Sequence, residues 1–359
     1  MAAYISFQPS EYFNTKIYTQ SGGANNGATQ TISLADVAFT WIKNRDYTNS
    51  HCLFDVTRGG SGSVCVFHSN SNAAAQGSDI DSSEGLTFGA SSTTIGTDGG
   101  GYGYNNRDGD KYVAWSWRGG TTSGITTNGS TTITPSSYSF NQTSGFSVVR
   151  YTGNGTSGAK IAHGLGTTPD LVIVKRLAGG SGEWDMVSKH LGATYYLRFT
   201  QDDKATGTWA FNDTLPDSVN FTVGDNAETN SSNGNVAYCF ASIKGYSKIG
   251  LYKGNANADG TFVYTGFRPA IVIMKNLASS EDWHLYDNKR ANPFNIADKT
   301  LDPNNTNAEY TISSGVDFLS NGFKWRASAS ALNGSSNYIY MSFGEAPLVS
   351  SNGKAGVAR

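Results

Sequence analysis

The sequence predicts an all-β protein made of three tandem β-sandwich-like modules. Glycine is abundant, with 43 of 359 residues, and only 15% of the residues are charged. Short runs of Val, Ile, Tyr, Phe and Trp are separated by Gly, Asn, Ser and Asp, a pattern typical of strands joined by turns. Similar segments then recur along the chain, which indicates repeated modules, each large enough for a small sandwich.

The first recurring element is an apolar run that ends in lysine. It reads GTTPDLVIVK at 166–175 and GFRPAIVIMK at 266–275, and a shorter version, VAFTWIK, occupies 37–43. A continuous apolar run of this length is typical of a strand that is covered on both faces. Each module is therefore predicted to contain one such strand.

The second recurring element closes each module. It reads YVAWSW at 112–117, NVAYCF at 235–240 and YIYMSF at 338–343. Because strand side chains alternate between two faces, one face holds the small residues Ser116, Cys239 and Ser342. The other face is large and apolar in every copy, with Val113, Trp115, Trp117, Val236, Tyr238, Phe240, Ile339, Met341 and Phe343.

These repeats define the domain organisation. We expect a divergent N-terminal β module at 1–120, a second module at 145–246, and a third at 247–346. The Ser/Thr/Gly-rich stretch 121–144 is predicted to be an extended linker, or a strand and loop lying along a neighbouring subunit. The segment 347–359 is expected to be a surface tail.

Charge and cysteine content argue against several classes of function. The formal net charge is −2 and no basic run is present, so nucleic-acid binding is not expected. No apolar stretch approaches the ~20 residues that would span a bilayer, and the N-terminus lacks a secretory signal pattern, so folding in a cytoplasm and no membrane insertion are expected. Cys52, Cys65 and Cys239 lack metal-ligand spacing, and buried free thiols are favoured over a Cys52–Cys65 disulfide.

Candidate catalytic residues are few, and none recurs between modules. His284 aligns with Asp185 and Cys52, so we expect a strand residue at an edge or surface rather than a catalytic base. The segment Arg107–Asp110 carries two carboxylates, but a turn is favoured over a calcium site because the other modules have no carboxylate there. The sequence predicts no enzyme activity, no cofactor and no metal site.

Aromatic residues are the remaining candidates for a contact surface. Trp209 and Trp325 are the tryptophans least constrained by the repeat, and Tyr102 and Tyr104 lie in a Gly-rich loop of the first module. We predict that these four residues contact a glycan or receptor. The other tryptophans fall at positions with a predicted packing role: Trp41, Trp115, Trp117, Trp184 and Trp283.

Several longer segments resemble one known group of proteins. They include FQPSEYFNTKIYT at 7–19, HGLGTTPDLVIVKR at 163–176, FVYTGFRPA at 262–270 and DFLSNGFKWR at 317–326, with FGEAPLVSSNGKAGVAR at 343–359. The chain resembles, over essentially its whole length, the repeated-module virion proteins of tailed bacteriophages, of the marine and cyanobacterial phage type. Members of that group are described as tail-fibre-like or structural proteins. The resemblance implies a virion component that is assembled in the host cytoplasm, and a homotrimer by analogy with fibres.

Three functions follow from these observations. The first is a tail-fibre-like or receptor-binding component for host attachment, whose partners would be a host-surface glycan or protein. The alternative is a capsid or tail decoration protein that binds other virion proteins. A polysaccharide depolymerase is a lesser alternative, because a glycosidase needs two carboxylates across a cleft and no pair stands out.

Overall fold

The computed structural model describes residues 7–21, 28–62, 65–75, 85–97, 107–200, 204–290 and 295–346. These residues form twenty-five strands, one 3-10 helix and one α-helix of a single turn. The strands pair antiparallel in several separate sheets, so the predicted all-β fold with sandwich-like modules is confirmed.

The first module has a five-stranded sheet in the order β1-β8-β3-β4-β5 and a three-stranded sheet in the order β2-β7-β6. Its elements are the 3-10 helix Pro9–Glu11 and the strands β1 Phe13–Thr19, β2 Gln30–Ile32, β3 Val37–Asn44, β4 Cys52–Asp55, β5 Phe67–His68, β6 Leu86–Phe88, β7 Thr93–Ile95 and β8 Lys111–Arg118.

The second module has a seven-stranded sheet in the order β15-β14-β13-β12-β17-β10-β9 and a pair, β11-β16. Its elements are β9 Ser137–Asn141, β10 Phe146–Tyr151, β11 Ala159–Ala162, β12 Leu171–Arg176, β13 Trp184–Ser188, β14 Tyr195–Arg198, β15 Ala205–Thr206, the helix α1 Thr208–Phe211, β16 Asn220–Val223 and β17 Asn235–Phe240.

The third module has two four-stranded sheets, ordered β18-β25-β20-β21 and β19-β24-β23-β22. Its strands are β18 Ser247–Lys253, β19 Phe262–Tyr264, β20 Arg268–Asn276, β21 His284–Asp287, β22 Ala297–Thr300, β23 Tyr310–Leu319, β24 Gly322–Trp325 and β25 Asn337–Ala346.

One four-stranded arrangement is repeated in all three modules. Its order is β1-β8-β3-β4 in the first, β10-β17-β12-β13 in the second and β18-β25-β20-β21 in the third. The closing strand lies in each case between the opening strand and the apolar strand that ends in lysine. We call this sheet the inner sheet of the module, and the register of the closing strands makes Trp117, Phe240 and Phe343 equivalent.

The three inner sheets pack against one another around a common core. The ring centres of Trp117, Phe240 and Phe343 lie 5.4 to 6.2 Å apart, so the three equivalent residues meet at a pseudo-threefold axis. The largest cluster of buried side chains draws on all three modules, and each module has a further core between its own two sheets. Each inner sheet is therefore covered on both faces, which confirms the prediction for the apolar runs, and the modules form one folded unit.

The stretch predicted to be a linker does not run free between modules. Residues 137–141 form β9, which pairs with β10, and Ile133 forms a bridge with Ile161 in β11. Thr121 is also bridged to Phe140. The prediction of an extended linker is corrected: the segment belongs to the second module of the same chain, because backbone hydrogen bonds to two edge strands hold it there.

The cysteines agree with the expectation from composition. Cys52, Cys65 and Cys239 are all buried, and no disulfide joins any two of them. Cys239 is fully buried on the small-residue face of β17, as predicted. The predicted tail at 347–359 lies outside the described residues.

Candidate functional site

A buried ion pair joins the first module to the second. Arg58 Nε donates to Asp55 Oδ2 at 2.6 Å, and both side chains are fully buried. The amides of Thr57 and Arg58 donate to Asp55 Oδ1, and the hydroxyl of Tyr238 in the second module donates to Oδ2 at 2.7 Å. Every acceptor of this carboxylate is thus used, as a buried charge requires.

The same unit recurs between the third module and the first. Arg290 Nε donates to Asp287 Oδ2 at 2.6 Å, again with both side chains fully buried. The donor from the neighbouring module is here Trp115 Nε1, at 3.1 Å from Oδ2. Trp115 and Tyr238 occupy equivalent positions of the closing strands, so the two contacts are related by the pseudo-threefold axis.

The second module lacks this unit. The register of its apolar strand places Ser188 where the other modules have Asp55 and Asp287, and Leu191 follows where they have arginine. Met341 of the third module occupies the position that the donors Tyr238 and Trp115 hold in the other closing strands. The acceptor, the cation and the donor are replaced together, so these residues form a structural set rather than a catalytic one.

The repeated lysines are structural as well. Lys43, Lys175 and Lys275 are buried at the ends of their apolar strands. Their amines donate to carbonyl oxygens of the loops that follow, among them those of Tyr47 and Ser279. Burial lowers the pKa of Lys43 and of Lys175 to about 8.

The histidines form no metal site with any other residue that the structure describes. His284 is buried on β21, the edge strand of its sheet, which is one of the two places expected, and its Nδ1 lies 2.9 Å from Asp302 Oδ1. The residues that the structure describes contain no group of three or more His, Cys, Asp or Glu side chains able to hold a metal ion. Asp108 and Gly109 form a turn, as favoured above.

An open groove between the two sheets of the third module is the best candidate for a binding site. It has a volume of about 490 Å³ and lies between the edge strands β18 and β19. Two aromatic side chains form its outer wall and are unusually exposed for their type, Phe262 at 43% and Tyr264 at 53%. We call it the module 3 groove; its principal lining residues are Lys248, Gly250, Tyr252, Phe262, Tyr264 and Tyr340.

One end of this groove is polar and positively charged. Lys248 Nζ donates to the carbonyl of Tyr264 at 2.8 Å and lies 5.4 Å from the centre of its ring. His190 of the second module lines the same end and lies 2.9 Å from Asp170. Burial would raise the pKa of Asp170, but hydrogen bonds from His190, Lys189 and the amide of Ser242 bring it down to about 2. The groove therefore offers apolar faces, a cation and edge-strand backbone, which are groups suited to binding.

The four residues predicted to contact a glycan or receptor do not come together in the structure. Trp209 lies half-buried on α1, with its ring edge-on to Tyr196 and the Arg198 guanidinium 4.9 Å from its centre. One of its faces is therefore taken by Arg198, and its contact role stays a prediction. Tyr102 and Tyr104 lie outside the described residues.

The prediction for Trp325 is wrong. Its side chain is fully buried in the core of the third module and packs against Tyr286 and Phe323. Phe323 and Trp325 share one face of β24, with Lys324 between them on the other. That alternation, visible in the sequence, points Trp325 inward.

Sequence reasoning missed the residues of the module 3 groove. Phe262 and Tyr264 stand two positions apart on β19, so both point to one side of the strand. Their spacing is a signal that could have been found. What the sequence could not show is that none of the described strands lies across the neighbouring opening.

The fold and this groove define a class: a single chain of three β-sandwich-like modules that share a core, with a groove at the β18 edge flanked by exposed aromatic side chains. The family described as "Domain of unknown function (DUF7483)" matches residues 8–347, and the chain belongs to this family. Since the match runs through all three modules, the family model describes the three modules together as one unit. Comparison with the curated proteins found no match, and comparison with the solved structures found none. In the part of the chain that the structure describes, no helix has the length and apolar character needed to cross a membrane.

Proposed function

We propose that this chain is a structural protein of a tailed-bacteriophage virion, a tail-fibre-like or receptor-binding component that contacts the host surface. The proposal is supported by the segments that resemble repeated-module virion proteins and by the shared core, which makes a rigid body without disulfides. The protein would be assembled in the host cytoplasm and would act as part of the virion.

The module 3 groove is the observation that carries the binding role. Phe262 and Tyr264 together expose a pair of rings beside an opening, whereas most large apolar side chains of the described chain are buried. Exposed apolar surface of this kind marks a site of interaction, because it costs free energy in water unless a partner covers it. Lys248 and His190 line one end of the groove, so its two ends differ in polarity and a partner would bind in a preferred orientation.

The test is binding of the purified full-length chain to cells of the phage's host. We expect the wild-type protein to bind these cells and to slow phage adsorption in proportion to its concentration. The double variant Phe262→Ser with Tyr264→Ser should lose both effects. The control variant, Tyr47→Ser, removes a ring of the first module that is equally exposed, at 51%, and does not line the groove. A wild-type protein that neither binds cells nor slows adsorption would remove the attachment role.

A second function, decoration of the capsid or tail through other virion proteins, is favoured by a different observation. In the second module, the opening that corresponds to the module 3 groove is closed by backbone pairing with β9. Openings of this type can therefore accept a polypeptide. Density for this chain at capsid lattice points in an electron-microscopy map of the particle would support this function, and density at the tail tip alone would contradict it.

A further inference from the structure

The second module shows what fills an opening between two sheet edges in this fold. β9 pairs antiparallel with β10, and Tyr138 lies opposite Val149 in that register. Tyr138 and Phe140 point to the same side, with ring centres 6.0 Å apart, and Phe140 is buried against Gly164. A strand with aromatic residues at alternate positions thus closes the second module.

Among the strands that the structure describes, none occupies the equivalent positions in the third module. Phe146 lies opposite Phe240 in the second module, and Ser247 lies opposite the equivalent Phe343. Counting along the strands, Gly250 corresponds to Val149 and Leu251 to Arg150. Among the described residues β18 pairs on one side only, with β25, whereas β10 pairs on both sides.

The backbone of β18 is oriented to accept a partner. In the second module the amide of Ser136 donates to the carbonyl of Arg150 at 2.8 Å, so the main chain of Arg150 faces β9. Leu251 occupies the same position, and its main chain therefore faces the open side. Exposed amide and carbonyl groups along a strand edge are a template for pairing with another chain.

An open groove lies along this edge. Gly250 has no side chain where the second module has the buried Val149, and the Tyr340 ring packs against it where the second module has Ala237, so Gly250 and Tyr340 together form part of the groove lining. Phe262 and Tyr264 stand on the far side of the groove, on β19; in the second module Phe140 packs against Gly164, just after the equivalent strand β11. The groove thus corresponds to the site that Tyr138 and Phe140 occupy in the second module, and no described strand fills it.

We propose that the module 3 groove binds an extended strand of a separate polypeptide, which pairs antiparallel with β18 and inserts two aromatic side chains at alternate positions. The strand would be low in charge, with small polar residues between the aromatic ones, like residues 137–141 of this chain. The inference rests on the proposed function and deepens it, because it names a protein strand as the partner rather than a sugar ring.

The probe for this inference is a labelled peptide with the sequence of residues 134–142, TPSSYSFNQ, titrated into the full-length protein and followed by fluorescence anisotropy. We expect saturable binding to the wild-type protein. The variant Leu251→Pro removes the outward amide without removing a bond to β25, so it should weaken binding about tenfold or more. A peptide carrying Tyr138→Ser and Phe140→Ser should bind as weakly.

The first module supplies a matched control. Ile17 lies at the position of Leu251, opposite Val113 in β8, and is exposed to the same extent, 43%. Ile17→Pro should carry the same folding cost and leave peptide binding unchanged. Hydrogen exchange of the wild-type protein provides a readout that needs no variant: the amides of β18 should be protected on addition of the peptide, and those of β1 should not.

Four results would overturn the inference. The first is a peptide that does not bind the wild-type protein, and the second is binding without protection of β18. The third is self-association of the wild-type chain that Leu251→Pro abolishes, which would make the occupant a second copy. The fourth is host-cell binding that Phe262→Ser with Tyr264→Ser removes and Leu251→Pro leaves intact, which would indicate recognition of a glycan. In this last case host attachment stands while the strand inference fails, so the two failures are distinguishable.

Discussion

At the scale of single residues, the contacts between modules are substituted in sets. Asp55 receives a hydrogen bond from Tyr238, and Asp287 receives one from Trp115. Where the second module has Ser188, the position of the donor holds Met341. A buried carboxylate without its partners would be strongly destabilising, so the loss of one member favours the loss of the others.

The hydroxyl of Tyr238 provides a direct test of this coupling. We expect Tyr238→Phe to lower the free energy of unfolding by about 1–3 kcal/mol, because Asp55 and Arg58 would each lose a buried partner. Tyr246→Phe is the control. Tyr246 is equally buried, and among the described residues its hydroxyl has no hydrogen-bond partner, so its removal should cost nothing measurable. Urea denaturation of both variants gives the comparison, and equal losses would contradict the role of the Asp55 contact.

Asp170 predicts how stability responds to acid. Its pKa in the folded protein is about 2, below the ordinary value of 3.8, because hydrogen bonds outweigh the effect of burial. A lowered pKa contributes stability that is present above about pH 4 and is lost as the pH falls towards 2, by about 2 kcal/mol in all. Asp170→Asn should flatten this part of the profile of unfolding free energy against pH. The control Asp213→Asn, at an exposed turn, should leave the profile unchanged.

The sequence predicted those residues whose role follows from local alternation. Alternation of side chains along the closing strands predicted their two faces, including the packed Cys239. Comparison of the repeats predicted that Trp184 is buried. The Asp55–Arg58 pair could not be predicted, because its meaning depends on Tyr238, 183 residues further along the chain. Trp325 was predicted to be a contact residue because the repeat does not constrain it. The alternation of side chains along its own strand, β24, indicates instead that Trp325 is buried.

At the scale of elements, the segment 121–141 behaves as part of the second module. β9 was hidden in the sequence because SYSFN has no aliphatic residue, and Ser and Asn are turn residues as often as strand residues. The apolar strands β3, β12 and β20 were predictable, since burial on both faces requires a continuous apolar run. Which edge each strand would leave open could not be predicted, because this depends on contacts between segments far apart in sequence.

A pair of substitutions in β9 tests how the second module is closed. We expect Tyr138→Ser with Phe140→Ser to release β9 and to speed hydrogen exchange in β9 and at the outward amides of β10, because Phe140 loses its buried contacts. Exchange in β18 should not change. The double variant Phe262→Ser with Tyr264→Ser is matched to it and should have little effect on exchange, since those rings are half exposed. Unchanged exchange in β9 would contradict the assignment of this strand to the second module.

At the scale of the whole molecule, the shared core predicts one cooperative unfolding transition. Trp117, Phe240 and Phe343 each come from a different module and pack together, so no inner sheet keeps its buried face alone. Differential scanning calorimetry should show one peak, and Trp117→Ala, which costs about 3–5 kcal/mol, should shift it as a unit. Two or more separate peaks would show that the modules fold independently.

A fragment supplies the complementary measurement. Residues 247–346 alone should lack a cooperative thermal transition, because the apolar face of their inner sheet would be exposed to water. Circular dichroism of this fragment and of the full chain makes the comparison. A cooperative transition in the fragment would contradict a common core as the source of stability.

The three modules differ at their sheet edges, and this difference limits how many partners the molecule can bind. An assembly of three identical chains would repeat every opening three times and would bind partners in threes. In this single chain β9 closes the opening of the second module, whereas among the described residues β1 and β18 each pair on one side only, and the groove with exposed aromatic side chains lies beside β18. A partner strand that recognises this groove, as we propose, would attach in one orientation.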